Sequence, residues 1–187
     1  MKKLMMIAAM MVAAVTANAQ NEVGQLTLMP KVGINISSIT NGVDNKAKVG
    51  LVAGAEFEYG IAESFGLQFG VLYSMQGDKA KDIDMTEKLD YINIPILAQY
   101  YVIPGLAIKA GLQPGFLVRA KDGDTSIKEY CNKVDLSIPV GISYEYEHFV
   151  LDARYNIGLT KVYKSDFTDR SCRNSVFAIT LGYKFAL

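Results

Sequence analysis

At 187 residues the chain has room for one domain with a sizeable core, and nothing in it calls for a second. Half of its residues are hydrophobic, and 19 Lys and Arg balance 19 Asp and Glu. That neutrality excludes the basic field that draws a protein to nucleic acid.

The N-terminus reads Met1-Lys2-Lys3, then an uncharged apolar run from Leu4 to Thr16, then Ala17-Asn18-Ala19 ahead of Gln20. This is the charged, apolar and small-residue succession of a secretory signal. Cleavage between Ala19 and Gln20 is expected, with residues 1–19 as signal peptide and 20–187 as the mature domain. A buried amphipathic helix would show a polar face, which Leu4 to Val15 lacks. The run is too short to cross a bilayer, which takes ~20 apolar residues. No cysteine stands directly after the cleavage site, and no later segment is an uncharged apolar run of helical spanning length. An exported chain of this kind either stays soluble or crosses a membrane as a closed barrel, the spanning structure that satisfies its backbone without helices.

From Gln25 onward apolar residues recur at every second position in about eight stretches, the period of a strand whose two faces meet different surroundings. The first sets Leu26, Leu28, Pro30, Val32, Ile34 and Ile36 against Thr27, Met29, Lys31, Gly33, Asn35 and Ser37. The second sets Val49 to Tyr59 against Gly50, Val52, Gly54, Glu56 and Glu58; the third sets Phe65 to Tyr73 against Gly66, Gln68, Gly70, Leu72 and Ser74. Ile92 to Tyr100 alternate with Tyr91, Asn93, Pro95, Leu97 and Gln99 in the fourth. In the fifth, Leu106 to Val118 face away from Lys109, Gly111, Gln113, Gly115 and Arg119. The sixth, Val134 to Tyr146, gathers Asp135, Ser137, Gly141, Ser143 and Glu145 on one face. Phe149 to Ile157 alternate with Asp152, Arg154, Asn156 and Gly158, and Phe177 to Phe185 with Thr180, Gly182 and Lys184. Each stretch has the ~9–11 residues that a tilted strand needs to cross a bilayer.

The connections alternate in length. They are short near Gly60 to Ser64, Ile103 to Gly105 and Glu147-His148, and long near Ser38 to Ala47, Gly77 to Glu87, Ala120 to Lys133 and Lys161 to Arg173. Short periplasmic turns and longer outer loops are the habit of membrane barrels. Alternation alone does not say which face is outside, because a soluble lipocalin-like carrier alternates with its apolar side inward. The aromatics decide it: Phe57, Tyr59, Phe65, Tyr100, Tyr144, Tyr146, Phe149, Tyr183 and Phe185 gather beside the short turns, where an interfacial girdle lies. The polar face mixes glycines with charges of both signs: Lys31, Lys109, Arg119, Arg154 and Lys184 against Glu56, Glu58, Asp135, Glu145 and Asp152. These ten are expected to pair in a narrow, filled lumen, which leaves little room for an open channel.

Three segments carry a family resemblance: Tyr91-Ile92-Asn93-Ile94-Pro95, Leu151-Asp152-Ala153-Arg154-Tyr155-Asn156-Ile157-Gly158-Leu159, and the closing Leu181-Gly182-Tyr183-Lys184-Phe185. With them the chain resembles the PorT-like small outer-membrane β-barrels over nearly all of its mature region. The resemblance implies a barrel in the bacterial outer membrane. Some relatives are linked to protein secretion, but no residue of this chain carries that role across. Ala186 and Leu187 follow the final aromatic, whereas many such barrels end on it.

Residues with other chemistry are few. His148, the one histidine, sits in a short turn with no second histidine to complete a metal site or triad. Cys131 and Cys172, an even pair in an exported chain, are candidates for a disulfide between two long loops. The expectation is a closed antiparallel up-and-down transmembrane β-barrel of about eight strands behind a cleavable signal peptide. It is expected to be monomeric and non-enzymatic, without cofactor or metal. Outer-membrane lipid surrounds it, and any protein or surface partner is met through the long loops. The rival readings are the soluble carrier of an apolar ligand and an outer-membrane lipid-modifying enzyme, which would need a nucleophile and a positioned base near the rim.

Overall fold

The computed structural model describes residues 23–40, 45–80, 86–123, 125–164 and 171–187; the expected signal peptide, residues 1–19, lies outside them. The described chain is almost entirely strand: β1 (Leu26–Thr40), β2 (Asn45–Ala62), β3 (Phe65–Ala80), β4 (Thr86–Asn93), β5 (Ile96–Ile103), β6 (Leu106–Asp122), β7 (Thr125–Ser126), β8 (Val134–Tyr146), β9 (Phe149–Gly158), β10 (Arg173–Tyr183) and β11 (Phe185–Ala186).

The strands pair antiparallel in the order β1-β2-β3-β4-β6-β8-β9-β10, and β10 returns to β1 over Lys31↔Gly182 to Thr40↔Arg173, so the sheet closes on itself. Eight strands cross the wall. β4 and β5 are one crossing strand interrupted at Ile94-Pro95, since both lie between β3 and β6. Proline cannot donate to the ladder. At the break, the Gly70 amide donates to the Pro95 carbonyl at 3.2 Å and the Ile94 amide to the Pro114 carbonyl at 2.8 Å, so the wall stays stitched. β11 continues β10 beyond Lys184, setting Phe185 opposite Leu28, and β7 is a two-residue spur on β6.

The alternation has the sense of a membrane barrel. Val32, Leu51, Val71, Leu112, Ile142 and Leu151 face outward, each more than half exposed, while Lys31, Glu56, Asp152 and Arg154 on the same strands point inward and are buried. A soluble carrier would have the two faces exchanged, so that reading falls. Tyr59, Tyr100, Tyr144, Tyr146 and Phe149 ring the short-turn end, and Tyr183 there stacks edge-on to Phe149 at 5.2 Å and against Phe185 at 4.7 Å.

Two expectations about the far end are corrected. The connections Ser38 to Ala47 and Gly77 to Glu87 are shorter than the sequence suggested, because β1 runs to Thr40 and β3 and β4 pair as far as Lys79↔Thr86. Beyond the apolar belt these strands alternate in charge rather than in hydropathy, which hides them from a hydrophobic period. The second correction is Arg119. A bulge sets Asp90 opposite Arg119 but Tyr91 opposite Leu117, leaving Val118 as the extra residue. The shift turns Arg119 out of the lumen, with its side chain 47% exposed.

Candidate functional site

The lumen is filled in layers. Nearest the short turns, the Lys184 ammonium lies 2.6 Å from Glu145 and 3.1 Å from Glu58. Tyr101 donates its hydroxyl to Glu58 at 2.7 Å, and Gln99 donates its amide to the same carboxylate at 3.0 Å. At mid-height Arg154 grips Glu56 with two nitrogens, at 2.8 and 3.3 Å, and reaches Asp152 at 2.9 Å. Lys31 lies 2.8 Å from Glu56 and 3.5 Å from Asp152, and Lys109 lies 2.8 Å from Asp152. The two layers together set Lys31, Lys109, Arg154 and Lys184 against Glu56, Glu58, Glu145 and Asp152. They arrive from β1, β2, β6, β8, β9 and the junction of β10 with β11 by the two-residue alternation, and their charges cancel.

Two of the ten expected lumen partners do otherwise. Arg119, outside, faces Asp90 across 3.8 Å, and Tyr73 donates its hydroxyl to the same aspartate at 2.8 Å. Asp135 faces inward, but its carboxylate accepts from the Thr160 hydroxyl at 2.6 Å and makes no ion pair among the described residues. Above the charged layers lies a cavity of about 20 Å³ beside Ser74, Gln113, Arg154, Asn156 and Thr180. Space of that size suits one water molecule rather than a solute.

Toward the far mouth sits an apolar plug of buried residues, which the hydrophobic period does not reveal. Ile39, Leu89, Tyr91, Leu117 and Ala120 from the wall meet Cys131, Val162 and Cys172 from the connections that fold back over the opening. Asn132 N donates to Val162 O at 2.8 Å, and Val162 N to Cys172 O at 2.8 Å. The backbone of Val162 is thus hydrogen-bonded to both Asn132 and Cys172. The expected bridge is not formed; both cysteines are buried thiols, and burial pushes the Cys131 thiol up to about 12.

The plug is tied to the wall where Tyr163 donates its hydroxyl to Glu87 at 2.6 Å. Asp78, Glu87 and Asp122 stand opposite one another on β3, β4 and β6, beyond the apolar belt. Burial, and after it the neighbouring acids, push the Glu87 carboxyl up to about 7 against the pull of the Tyr163 hydroxyl. The folded protein then holds a proton that the unfolded chain releases above its ordinary value of 4.5, so stability falls as pH rises between these limits. A loss of about 1–2 kcal/mol from pH 5 to pH 8 is expected at this solvent-screened rim. Glu87→Gln should flatten that slope in urea unfolding measured at the two pH values.

His148 stacks on Tyr183 at 5.5 Å in the turn between β8 and β9 and belongs to no group of three or more metal-ligating side chains among the described residues.

The comparisons agree with this architecture. The comparison with curated proteins gives no match. Among solved structures, the chain is similar to the attachment invasion locus protein Ail of Yersinia pestis, solved with the heparin analogue sucrose octasulfate: 18% identity, 88% of this chain and 100% of that one, TM-score 0.57. It is similar to the Neisserial surface protein A, at 19% identity over 86% of this chain and 97% of that one, TM-score 0.58. OprG of Pseudomonas aeruginosa aligns at 13% identity over 90% and 99%, TM-score 0.52. At these identities the likeness is one of fold. Residues 18–164 match the model of the outer membrane protein β-barrel domain, so this closed barrel belongs to that family and is a protein of the bacterial outer membrane.

Proposed function

We propose that this protein is a non-enzymatic barrel with a sealed lumen, acting at the cell surface through the elements at its long-loop end. The observation that carries the reading is the layered filling of the interior among the described residues: eight paired charges below, an apolar plug above, and a water-sized cavity above the charged layers. A barrel of eight strands is just wide enough for such side chains, so solutes have no path through it. Short turns face the periplasm in barrels of this kind, which puts the plug and the extended strands outside the cell. Among relatives of the fold, Ail is solved with a polyanionic sugar analogue, and contact with an outside molecule of that sort is compatible with a role carried by the loop end.

Within the family, the Tyr91–Pro95, Leu151–Leu159 and Leu181–Phe185 segments support a likeness to the PorT-like barrels, and no residue carries a secretion role across. Its mature form starts at Gln20, is monomeric, and would show a mass beginning at that residue. The one histidine, His148, lies in a short turn and not in a long loop, which weighs against the lipid-enzyme reading; unaltered lipid composition on overexpression is expected. The test of the main reading is planar-bilayer conductance with surface crosslinking in native membranes. No ion conductance and crosslinks to the loop end are expected. Steady single-channel steps would overturn the sealed lumen, and crosslinks confined to the short-turn end would overturn the surface role.

A further inference from the structure

Beyond the belt the strands carry charge on both faces, and the two signs are sorted. Asp78, Glu87 and Asp122 point inward, while their neighbours Lys79, Lys88 and Lys121 point outward. On the outer face Lys88 stands directly opposite Lys121, and Lys46 opposite Lys79. Like charges facing each other across a strand pair are destabilising, by a few tenths of a kcal/mol to about 1 kcal/mol for such pairs. Two of these pairs on one face are a local rule broken twice, the kind of departure that marks a functional surface.

Arg119 and Lys128 extend the patch down to the belt: the Lys128 ammonium donates to the Val118 carbonyl at 3.0 Å, at the last outward apolar residue of β6. Lys121 lies three residues further along the same strand, ~10 Å at the usual rise. The acids on this outer face, among the described residues, are Asp90, already held by Tyr73 and Arg119, and Glu129 in the turn that carries Lys128. The cations thus form a contiguous face at the height where lipid headgroups begin, with apolar side chains immediately below.

We propose that Arg119, Lys128, Lys88 and Lys121 bind the phosphate groups of outer-leaflet lipid headgroups. The opposed lysines would be stabilised by an anion between them, and the apolar belt beneath receives the acyl chains of the same molecule. The proposal rests on the reading that the long-loop end faces outward from the cell.

The test uses the whole mature protein refolded in phosphatidylcholine vesicles with or without diphosphorylated lipid A. Lipid that stays with the protein after detergent extraction is identified by mass spectrometry. The native protein should retain lipid A, and Lys88→Gln with Lys121→Gln should lower retention by about tenfold or more, given the per-lysine strength of such contacts. The charge-matched control, Lys133→Gln with Arg173→Gln, should retain it. Heat-modifiable gel migration confirms that all three are folded. Equal retention by both double variants overturns the proposal. So does capture of soluble sucrose octasulfate with no preference for lipid A, which would make the face a glycan site. Because vesicle binding does not depend on orientation in the cell, a surface-protease experiment on intact cells fails or succeeds separately and tests the outward reading alone.

Discussion

Replacing Glu56 by glutamine is expected to cost about 3–5 kcal/mol, the range for removing one partner from a buried ion pair. The reason lies in the count of charges at mid-height. Lys31, Lys109 and Arg154 face Glu56 and Asp152, so this layer already carries one cation in excess, and the loss of Glu56 leaves three cations around Asp152 alone. Glu56 is also fully buried, with Lys31 and both Arg154 terminal nitrogens in contact, so bulk solvent does not reach the carboxylate's place.

Arg154 bridges Glu56 and Asp152, yet Arg154→Met should be milder, about 1–2 kcal/mol. Its removal leaves Lys31 with Glu56 at 2.8 Å and Lys109 with Asp152 at 2.8 Å, two complete pairs. Combining both substitutions restores the original excess of one cation, so the double variant should be less impaired than Glu56→Gln alone, with a coupling of 0.5 to about 3 kcal/mol. Urea unfolding of the folded barrel in detergent micelles measures all three. If Glu56→Gln stays within about 1 kcal/mol of the native protein, the lumen is wet enough to screen its charges and the sealed interior is wrong.

The sequence made this arrangement readable only where the period of two is unbroken. Glu56, Glu58, Lys109, Asp152, Arg154 and Lys184 lie on inward faces because each strand keeps strict alternation through the belt. Arg119 was misplaced because a bulge at Val118 shifts the period by one residue, and neighbouring residues of β6 give no composition signal of it. The plug was invisible for a different reason. Cys131, Val162 and Cys172 are isolated apolar residues in polar connections, and only closure of the ring brings them over Leu89 and Leu117. The same three-dimensional return bonds the Val162 backbone to Asn132 and Cys172, a contact that an even cysteine count cannot report. Beyond the belt, the alternation of Lys with Asp or Glu was read as loop, since a search for apolar period treats both members as polar.

The charged layer also depends on a glycine. Gly70 on β3 stands opposite Glu56 on β2 and faces the lumen. A Cβ there would come 2.3 Å from the Ala55 carbonyl oxygen, 2.6 Å from Glu56 Cα and 2.7 Å from Glu56 Cγ. Two of these three atoms are backbone, so a rotamer change does not relieve the clash. The two strands would have to move apart, and Glu56 would be carried off the Arg154 fork. Gly70→Ala is therefore expected to cost about 1–3 kcal/mol by overpacking, and Gly70→Val more, with the unfolding midpoint in urea as the measurement. Gly66 supplies the control on the same strand and the same face. Its nearest neighbour is the Glu58 side-chain oxygen at 3.4 Å, a flexible atom at ordinary contact distance. Gly66→Ala should leave stability within about 0.5 kcal/mol, or raise it slightly by restricting the unfolded chain. Equal losses at the two positions would mean that glycine is needed for strand curvature throughout the inner face; a loss confined to Gly70 ties the requirement to the room that Glu56 and its cations occupy.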